Sequence, residues 1–448
     1  MPADRDKPSS PLARILANTA WLMGGKGFGA ICSIVYLAIL TRTLGLKGFG
    51  HFSLIFGTAQ ALIAIAGFQT WRVVVRYGAA HIHDKQWAAF GRLGMFAGVL
   101  DAMGAALGCV IAAVVFFAFA HLLDLNESYI VPGFLFCCAQ LWALVSAPTG
   151  IVRALNKFQM AVYVEAVVPL GRLVGAVAVW LLAPSVGWFL FVWALVDLLE
   201  AALYWMMARR LAPESVQWRY LKDYRRTLEE NPGLWHFFWV TFAGSTIDAL
   251  TKNGPLLVVG GVIGTRAAGL YRLASQLSQA LSKFSTMLTR SVYAEVSRMR
   301  VASTMQEFRR LAVQTSLIAG AGGIVVVLVA LLAGRWLLGL IGGEDFEGGA
   351  AILVPLAIAA SFDLASVAFE PVLHSTGKAQ HSLTARLIGL AVMAVVVGTL
   401  LHFGAIGAAW GVAIGSAALY VVMGAMAFAT LRKLQGEEPL QPAPQHGA

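Results

Sequence analysis

Charge is scarce in this chain: Asp, Glu, Lys and Arg supply 12% of its 448 residues, about half the share found in an average soluble protein. So little charge excludes an ordinary water-soluble domain. Cysteine is scarce as well. Cys32, Cys109, Cys137 and Cys138 all lie inside apolar stretches with no ligand spacing, so they read as small hydrophobic fillers and not as a disulfide framework or a zinc site. Alternation of apolar and polar residues is missing, which excludes a transmembrane barrel. No Walker loop, HExxH pair or GxSxG elbow occurs, which sets aside nucleotide hydrolysis and two common hydrolytic chemistries. His81 and His83 alone are too little for a metal site, and the loops are too short for a catalytic domain. The expectation is a protein that is not an enzyme and needs no cofactor or metal.

Apolar residues are abundant instead, 58% of the chain, gathered in blocks near the roughly 20 residues a helix needs to cross a bilayer. Twelve spans are expected, at 15–40, 51–68, 93–120, 129–149, 160–182, 186–207, 234–261, 268–288, 311–332, 350–369, 383–401 and 406–429. The fold class is therefore an all-α integral membrane protein with twelve transmembrane helices in two six-helix bundles. A cytoplasmic tail (1–14) leads into the first bundle (15–207), then a cytoplasmic linker (208–233), the second bundle (234–430) and a disordered tail (431–448).

The net charge of +10 sits in the loops: 23 of the 33 Lys and Arg fall on the side of the N-terminus and four on the other side. That bias puts both termini in the cytoplasm. It also speaks for anionic lipid headgroups and against nucleic acid as the partner. In the linker, Trp218, Tyr220, Leu221 and Tyr224 are interleaved with Arg209, Arg210, Arg219, Lys222, Arg225 and Arg226. This suits a helix lying on the inner leaflet, or a plain connector.

The second half carries a faint copy of the first. Gly45, Lys47, Gly50 and Phe52 in LGLKGFGHF recur as Gly264, Arg266, Gly269 and Tyr271 in IGTRAAGLY, 219 positions later. Phe90, Arg92 and Leu93 match Phe308, Arg310 and Leu311 at an offset of 218, and Asn156 and Lys157 match Gly377 and Lys378 at 221. Such a duplication implies bundles related by a pseudo-twofold along the membrane normal, enclosing a transport path.

Ionisable residues inside the spans cost about 2.5–3.5 kcal/mol each at the bilayer centre, so they should face a bundle interior or a watery cavity. Lys26 stands deep in the first span among Gly24, Gly25, Gly27 and Gly29 with no acidic neighbour on its helix. Lys252, followed by Gly254 and Pro255, occupies a bendable helix in the second half. Together they suggest a clamp for a phosphate or pyrophosphate, and Arg172 and Lys283 complete the cationic candidates. Asp248, Asp101, Asp197, Glu200 and Asp363 are the candidate proton or sodium sites. Structural pairings stay open: Asp248 with Lys252 at i, i+4, Glu165 with Arg172 through a neighbouring helix, and a snorkelling Arg272 near a span end.

Three segments carry a family resemblance. LTRTLGLKGFGHFSL, GIVRALNKFQMAVYVEAVVPLGRL (with Arg153, Ala154, Leu155, Phe158 and Glu165) and VGGVIGTRAAGLYRLASQL resemble, in order and spacing, motifs of the polysaccharide transporter family. These are the O-antigen and exopolysaccharide flippases of the multidrug/oligosaccharidyl-lipid/polysaccharide exporter superfamily. The resemblance implies a protein of the bacterial cytoplasmic membrane that moves an undecaprenyl-pyrophosphate-linked glycan between leaflets by alternating access. Membrane lipid and a proton or sodium ion would be its partners, alongside a polysaccharide polymerase and glycosyltransferases. Pro255 stands where family members often carry an acid, and Asp248 is the candidate substitute. The competing readings are a cation-coupled multidrug exporter, a peptidoglycan-precursor flippase and a non-transporting scaffold of a glycan assembly complex. The sidedness has a direct check: green fluorescent protein fused to the C-terminus should fluoresce and alkaline phosphatase fused there should stay inactive, and the reverse pattern would invert the topology.

Overall fold

The structure, a computed structural model, describes residues 11–119, 124–298, 305–366, 369, 373 and 379–434. Among them every regular element is helical, as lipid demands of a chain whose backbone groups must be satisfied within the segment. The first seven helices are α1 (Pro11–Ala66), α2 (Thr70–His83), α3 (Trp87–Ala118), α4 (Ile130–Trp142), α5 (Ser146–Ala154), α6 (Phe158–Leu182) and α7 (Val186–Leu211). They are followed by α8 (Tyr224–Glu230), α9 (Leu234–Val262), α10 (Thr265–Arg298), α11 (Met305–Gly342), α12 (Ala350–Ser366), α13 (Ala379–Leu400) and α14 (Ala405–Leu434). Nine helical segments among the described residues are long and apolar enough to cross a membrane, so the chain is an all-α, multi-pass membrane protein. α9 and α10, expected as the seventh and eighth spans, are 29 and 34 residues long but not among the nine. Polar residues such as Asp248, Lys252, Asn253, Arg272 and Gln276 dilute their apolar runs.

Three local departures from the expected spans matter. Helix persists through the expected loop at 41–50, interrupted at Gly45 (φ +63°), a backbone that favours glycine. The start of this stretch is tied to α11: Thr41 shares its hydroxyl proton between the Leu37 (2.8 Å) and Ile341 (3.1 Å) carbonyls, while Arg42 donates to the Leu340 carbonyl at 2.7 Å. A cation at the last carbonyls of α11 also suits that helix's negative end. The other two departures are a helix, α2, in the expected loop after the span at 51–68, whose end is met by the break at 67–69, and a split of the span at 129–149 at 143–145 into α4 and α5.

The chain divides into two compact units, Met1–Arg272 with Gly339–Glu347, and Leu273–Leu338 with Gly348–Ala448. In the first, the two copies of the repeated motif lie against each other. A Cβ at Gly50 would collide with the Thr265 carbonyl, and a Cβ at Gly269 would stand 2.9 Å from the Leu46 carbonyl. Leu46 and Thr265 are themselves 219 apart, so the two contacts exchange under the repeat. Gly45 and Gly264 share positive φ, +63° and +113°. Further along, Gly57 meets Leu256 and Gly260 meets the Leu54 side chain. Four glycines thus bring the helix after Gly45 close to α9 and α10, two of them, Gly50 and Gly269, at backbone distance.

The linker is built into this unit. Gly91 and Gly94 of α3 admit the backbone at Glu214 and Ser215, Arg92 pairs with Glu230, and His81 bonds Asn231 at 2.9 Å. Burial alone would raise the Glu230 carboxyl, but the hydrogen bond and charge of Arg92, joined by Arg226, hold it below its ordinary range. The second unit packs α12 and α13 on α14 around Phe369, Leu373, Ala385, Met423 and Ala427. Gly389, Gly411 and Gly415 give close helix approach there.

Valine at Gly50 or Gly269 has to displace backbone, and overpacking of this kind costs at least about 1–3 kcal/mol. Each variant should lower the unfolding temperature of the detergent-purified protein, whereas Gly244→Ala, facing open space, should not. Equal temperatures for all three would refute the close approach.

Candidate functional site

The site lies in the first unit and is built on the ring of Phe56, one helical turn beyond the stacked Phe52. Two guanidinium groups share that ring: Arg272 from the start of α10 at 5.1 Å from the centroid, and Arg172 from α6 at 5.8 Å. Both are within the range at which an aromatic face attracts a cation. Trp193 of α7 completes the surround, 5.7 Å from Arg172 and edge-on to Tyr36 at 5.4 Å.

The two arginines differ in their partners. Arg172 Nη2 lies 2.8 Å from both carboxylate oxygens of Asp197, which also accepts from Gln140 Nε2. The pair is mostly sequestered, with 15% and 10% of the two side chains exposed. Arg172 Nε remains buried without an acceptor. Arg272, half-buried, forms no salt bridge among the described residues. A sequestered cation with no counter-charge is costly unless a ligand supplies the anion. Two planar donor forks around one ring are suited to phosphoryl oxygens, which guanidinium groups bind in bidentate fashion.

The remaining charges fall into distinct roles. Glu165 does not bridge to Arg172; it accepts from the Tyr204 hydroxyl at 3.1 Å and lies 3.5 Å from Arg153, which also covers Trp71. Glu200, one turn beyond Asp197 on α7, is half-buried and makes no ion pair among the described residues. Asp101 of α3 is elsewhere, 7% exposed, where the two helix breaks meet. It accepts from Thr70 Oγ1 (2.8 Å) and the Ala147 amide (2.7 Å), while Ser146 Oγ accepts from the Trp71 amide and donates its own proton to Thr70 Oγ1, each at 3.0 Å. One carboxylate therefore serves the N-termini of both α2 and α5, where negative charge is favoured.

Of the other candidates, Asp248 is half-buried and Lys252 exposed on α9, which runs through Pro255 as one helix. Lys283 of α10 and Asp363 of α12 are exposed and belong to the second unit. Lys26 lies on α1, with its side chain outside the described residues. The structure thus brings Arg172, Asp197 and Glu200 together and leaves Asp101 apart. Arg272, for which the sequence offers snorkelling or structural pairing, joins this site instead; its place one position after the repeated aromatic, Tyr271, is the signal the sequence carries.

Removing one partner of a sequestered pair leaves an uncompensated charge, typically worth 3–5 kcal/mol, whereas exposed pairs contribute about 0–1 kcal/mol. Asp197→Ala should therefore depress thermal stability by about 3–5 kcal/mol, and Glu165→Gln by less than about 1 kcal/mol. Arg172→Met combined with Asp197→Met should recover most of the first loss. Equal effects of the two single substitutions, measured by unfolding in detergent, would refute the assignment.

Comparison with known proteins places this geometry in context. "Inner membrane protein YghQ" of Escherichia coli (strain K12) is 27% identical over 333 residues, which cover 74% of this chain and 93% of the relative. The inward-facing structure of a multidrug resistance MATE family transporter of the MOP superfamily superposes with a TM-score of 0.70 at 13% identity, covering 92% of this chain and 96% of that one. The lipid II flippase MurJ in an inward closed conformation gives 0.65 at 10% identity, with 93% of each chain covered. These two likenesses establish the fold. The model of the family described as "Polysaccharide biosynthesis protein" matches residues 15–300, more than half of the sequence, and the chain belongs to that family.

Proposed function

We propose that the protein is a flippase that carries an undecaprenyl-pyrophosphate-linked oligosaccharide from the inner to the outer leaflet of the bacterial cytoplasmic membrane. The product would feed surface polysaccharide biosynthesis, upstream of a polymerase and downstream of glycosyltransferases. Twelve helices in two six-helix bundles (15–207 and 234–430), related by a pseudo-twofold along the membrane normal, would alternate access with both termini cytoplasmic. Family membership supports the polysaccharide setting, and a fold shared with a lipid II flippase supports a lipid-linked cargo. The exchange of contacts between Gly50–Thr265 and Gly269–Leu46 supports the twofold.

The observation that carries the reading is Arg272 beside Arg172 on Phe56, without a carboxylate of its own. In-span acids and bases nearly balance in number, yet Asp197 is neutralised by Arg172 and Glu165 faces Arg153, which leaves Arg272 as the cation of the cluster with no salt bridge and Glu200 as its acid with none. A diphosphate and sugars cannot enter hydrocarbon unaided; two guanidinium groups would replace water around the diphosphate while the prenyl tail stays in lipid. In this scheme Lys26, Lys252 and Lys283 are further phosphate contacts. Glu200 is the first choice for a proton or sodium site, with Asp248, Asp101, Asp197 and Asp363 behind it. A cation exporter of the same superfamily needs an acidic cavity and has no use for Arg272.

The test is complementation of a strain lacking the gene. Charged hydrogen bonds contribute about 1.5–3 kcal/mol, so Arg272→Gln should cut surface polysaccharide roughly ten- to a hundredfold at unchanged protein level. Arg272→Lys should restore part of it, and Lys26→Ala and Lys252→Ala should each reduce it. Normal output from Arg272→Gln would remove the site, and normal output from all of them would favour a scaffold.

A further inference from the structure

A second site lies at the other end of the first unit, on α3. At 1.5 Å per residue this helix of 32 residues is about 48 Å long, against a hydrocarbon thickness of about 30 Å. The helix is therefore longer than the acyl region is thick, and the linker wraps its N-terminal turns at Gly91, Arg92 and Gly94. Between them opens a cleft of about 300 Å³ whose walls include Met95, Val99 and Leu100 of α3, Tyr220 and Tyr224 of the linker, and Trp235 at the start of α9. The walls are almost wholly apolar, but the rim is cationic. Arg219 Nη2 donates to the Tyr220 hydroxyl at 2.8 Å and Arg225 Nε to the Tyr224 hydroxyl at 3.1 Å, so each guanidinium stands at the polar end of a ring that walls the cleft. Lys222 lies on the same stretch, exposed like Arg219 and Arg225, and none of the three is in a salt bridge among the described residues. Trp218 of the linker and Trp87 at the start of α3 are 79% and 42% exposed, as residues of a membrane–water interface are.

We infer that this cleft binds an anionic phospholipid of the membrane surface, its acyl chain among Met95, Val99 and Leu100 and its phosphate against Arg219, Lys222 and Arg225. Apolar walls alone would take any lipid tail. Arg219 and Arg225 at the lip, with Lys222 on the same exposed stretch, select a negative headgroup, and each basic residue near an anionic surface strengthens binding about fivefold. The site is independent of the transport reading, since it shares no residue with the Phe56 cluster.

The experiment is native mass spectrometry of the full chain released from detergent, titrated with dioleoyl phosphatidylglycerol, with dioleoyl phosphatidylcholine and with undecaprenyl phosphate. One phosphatidylglycerol should be retained in preference to phosphatidylcholine by at least about tenfold. Arg219→Gln, Lys222→Gln and Arg225→Gln together, all on exposed positions, should erase that preference. Val99→Trp, which fills the cleft without altering charge, should lower retention of phosphatidylglycerol while leaving the unfolding temperature near that of the wild type. Three results would each overturn the inference: equal retention of the two lipids, an undiminished preference in the triple variant, or stronger retention of undecaprenyl phosphate than of phosphatidylglycerol. Full retention by a stably folded Val99→Trp protein would do so as well.

Discussion

Close approach at four glycines is the constraint on which the first unit depends, backbone to backbone at Gly50 and Gly269 and backbone to leucine side chain at Gly57 and Gly260. Leu46 and Thr265 offer carbonyls where Gly269 and Gly50 have no side chain, and no other residue type leaves that space. In lipid the hydrophobic effect gives helices no reason to associate with one another, so association rests on such close packing. The approach also sets the site. Phe56 lies six residues beyond Gly50, and Arg272 three beyond Gly269, so the same contact that seats the two copies of the motif delivers a ring from one and a guanidinium from the other.

Around that contact the ionised groups sort by how completely the protein satisfies them. Asp101 is surrounded by donors, and Arg172 with Asp197 is nearly closed. Arg153 with Glu165 is looser and wetter. Arg272 and the Nε of Arg172 are left over. Charge that the fold does not neutralise is the part a ligand can use, and counting acids and bases along the chain cannot distinguish it from the rest.

Much of the architecture was legible in the sequence because lipid enforces simple rules. Block length located most spans, and the spacing of Gly45, Gly50, Gly264 and Gly269 revealed the duplication. The break at 143–145 was hidden because Ala143, Leu144 and Val145 are as apolar as the residues of an unbroken span, and Asp101, which accepts from the amide just beyond it, lies on a third helix. The docking of the linker was hidden for a related reason: Gly91, Gly94 and Ser215 carry no charge pattern, so Arg92 and Glu230 read as loop charges and not as a pair. Arg272 was passed over because an arginine near a helix start has an easy solvent-seeking explanation. Only the placement of Phe56 shows that the guanidinium turns inward.

The carboxylate shared by α2 and α5 has a mechanical corollary. Two half-helices anchored through one oxygen-bearing group cannot tilt separately without stranding an amide or a hydroxyl in a dry interior. They are geared together, with α3 as the axle, and any bending of one membrane segment is handed on to the other.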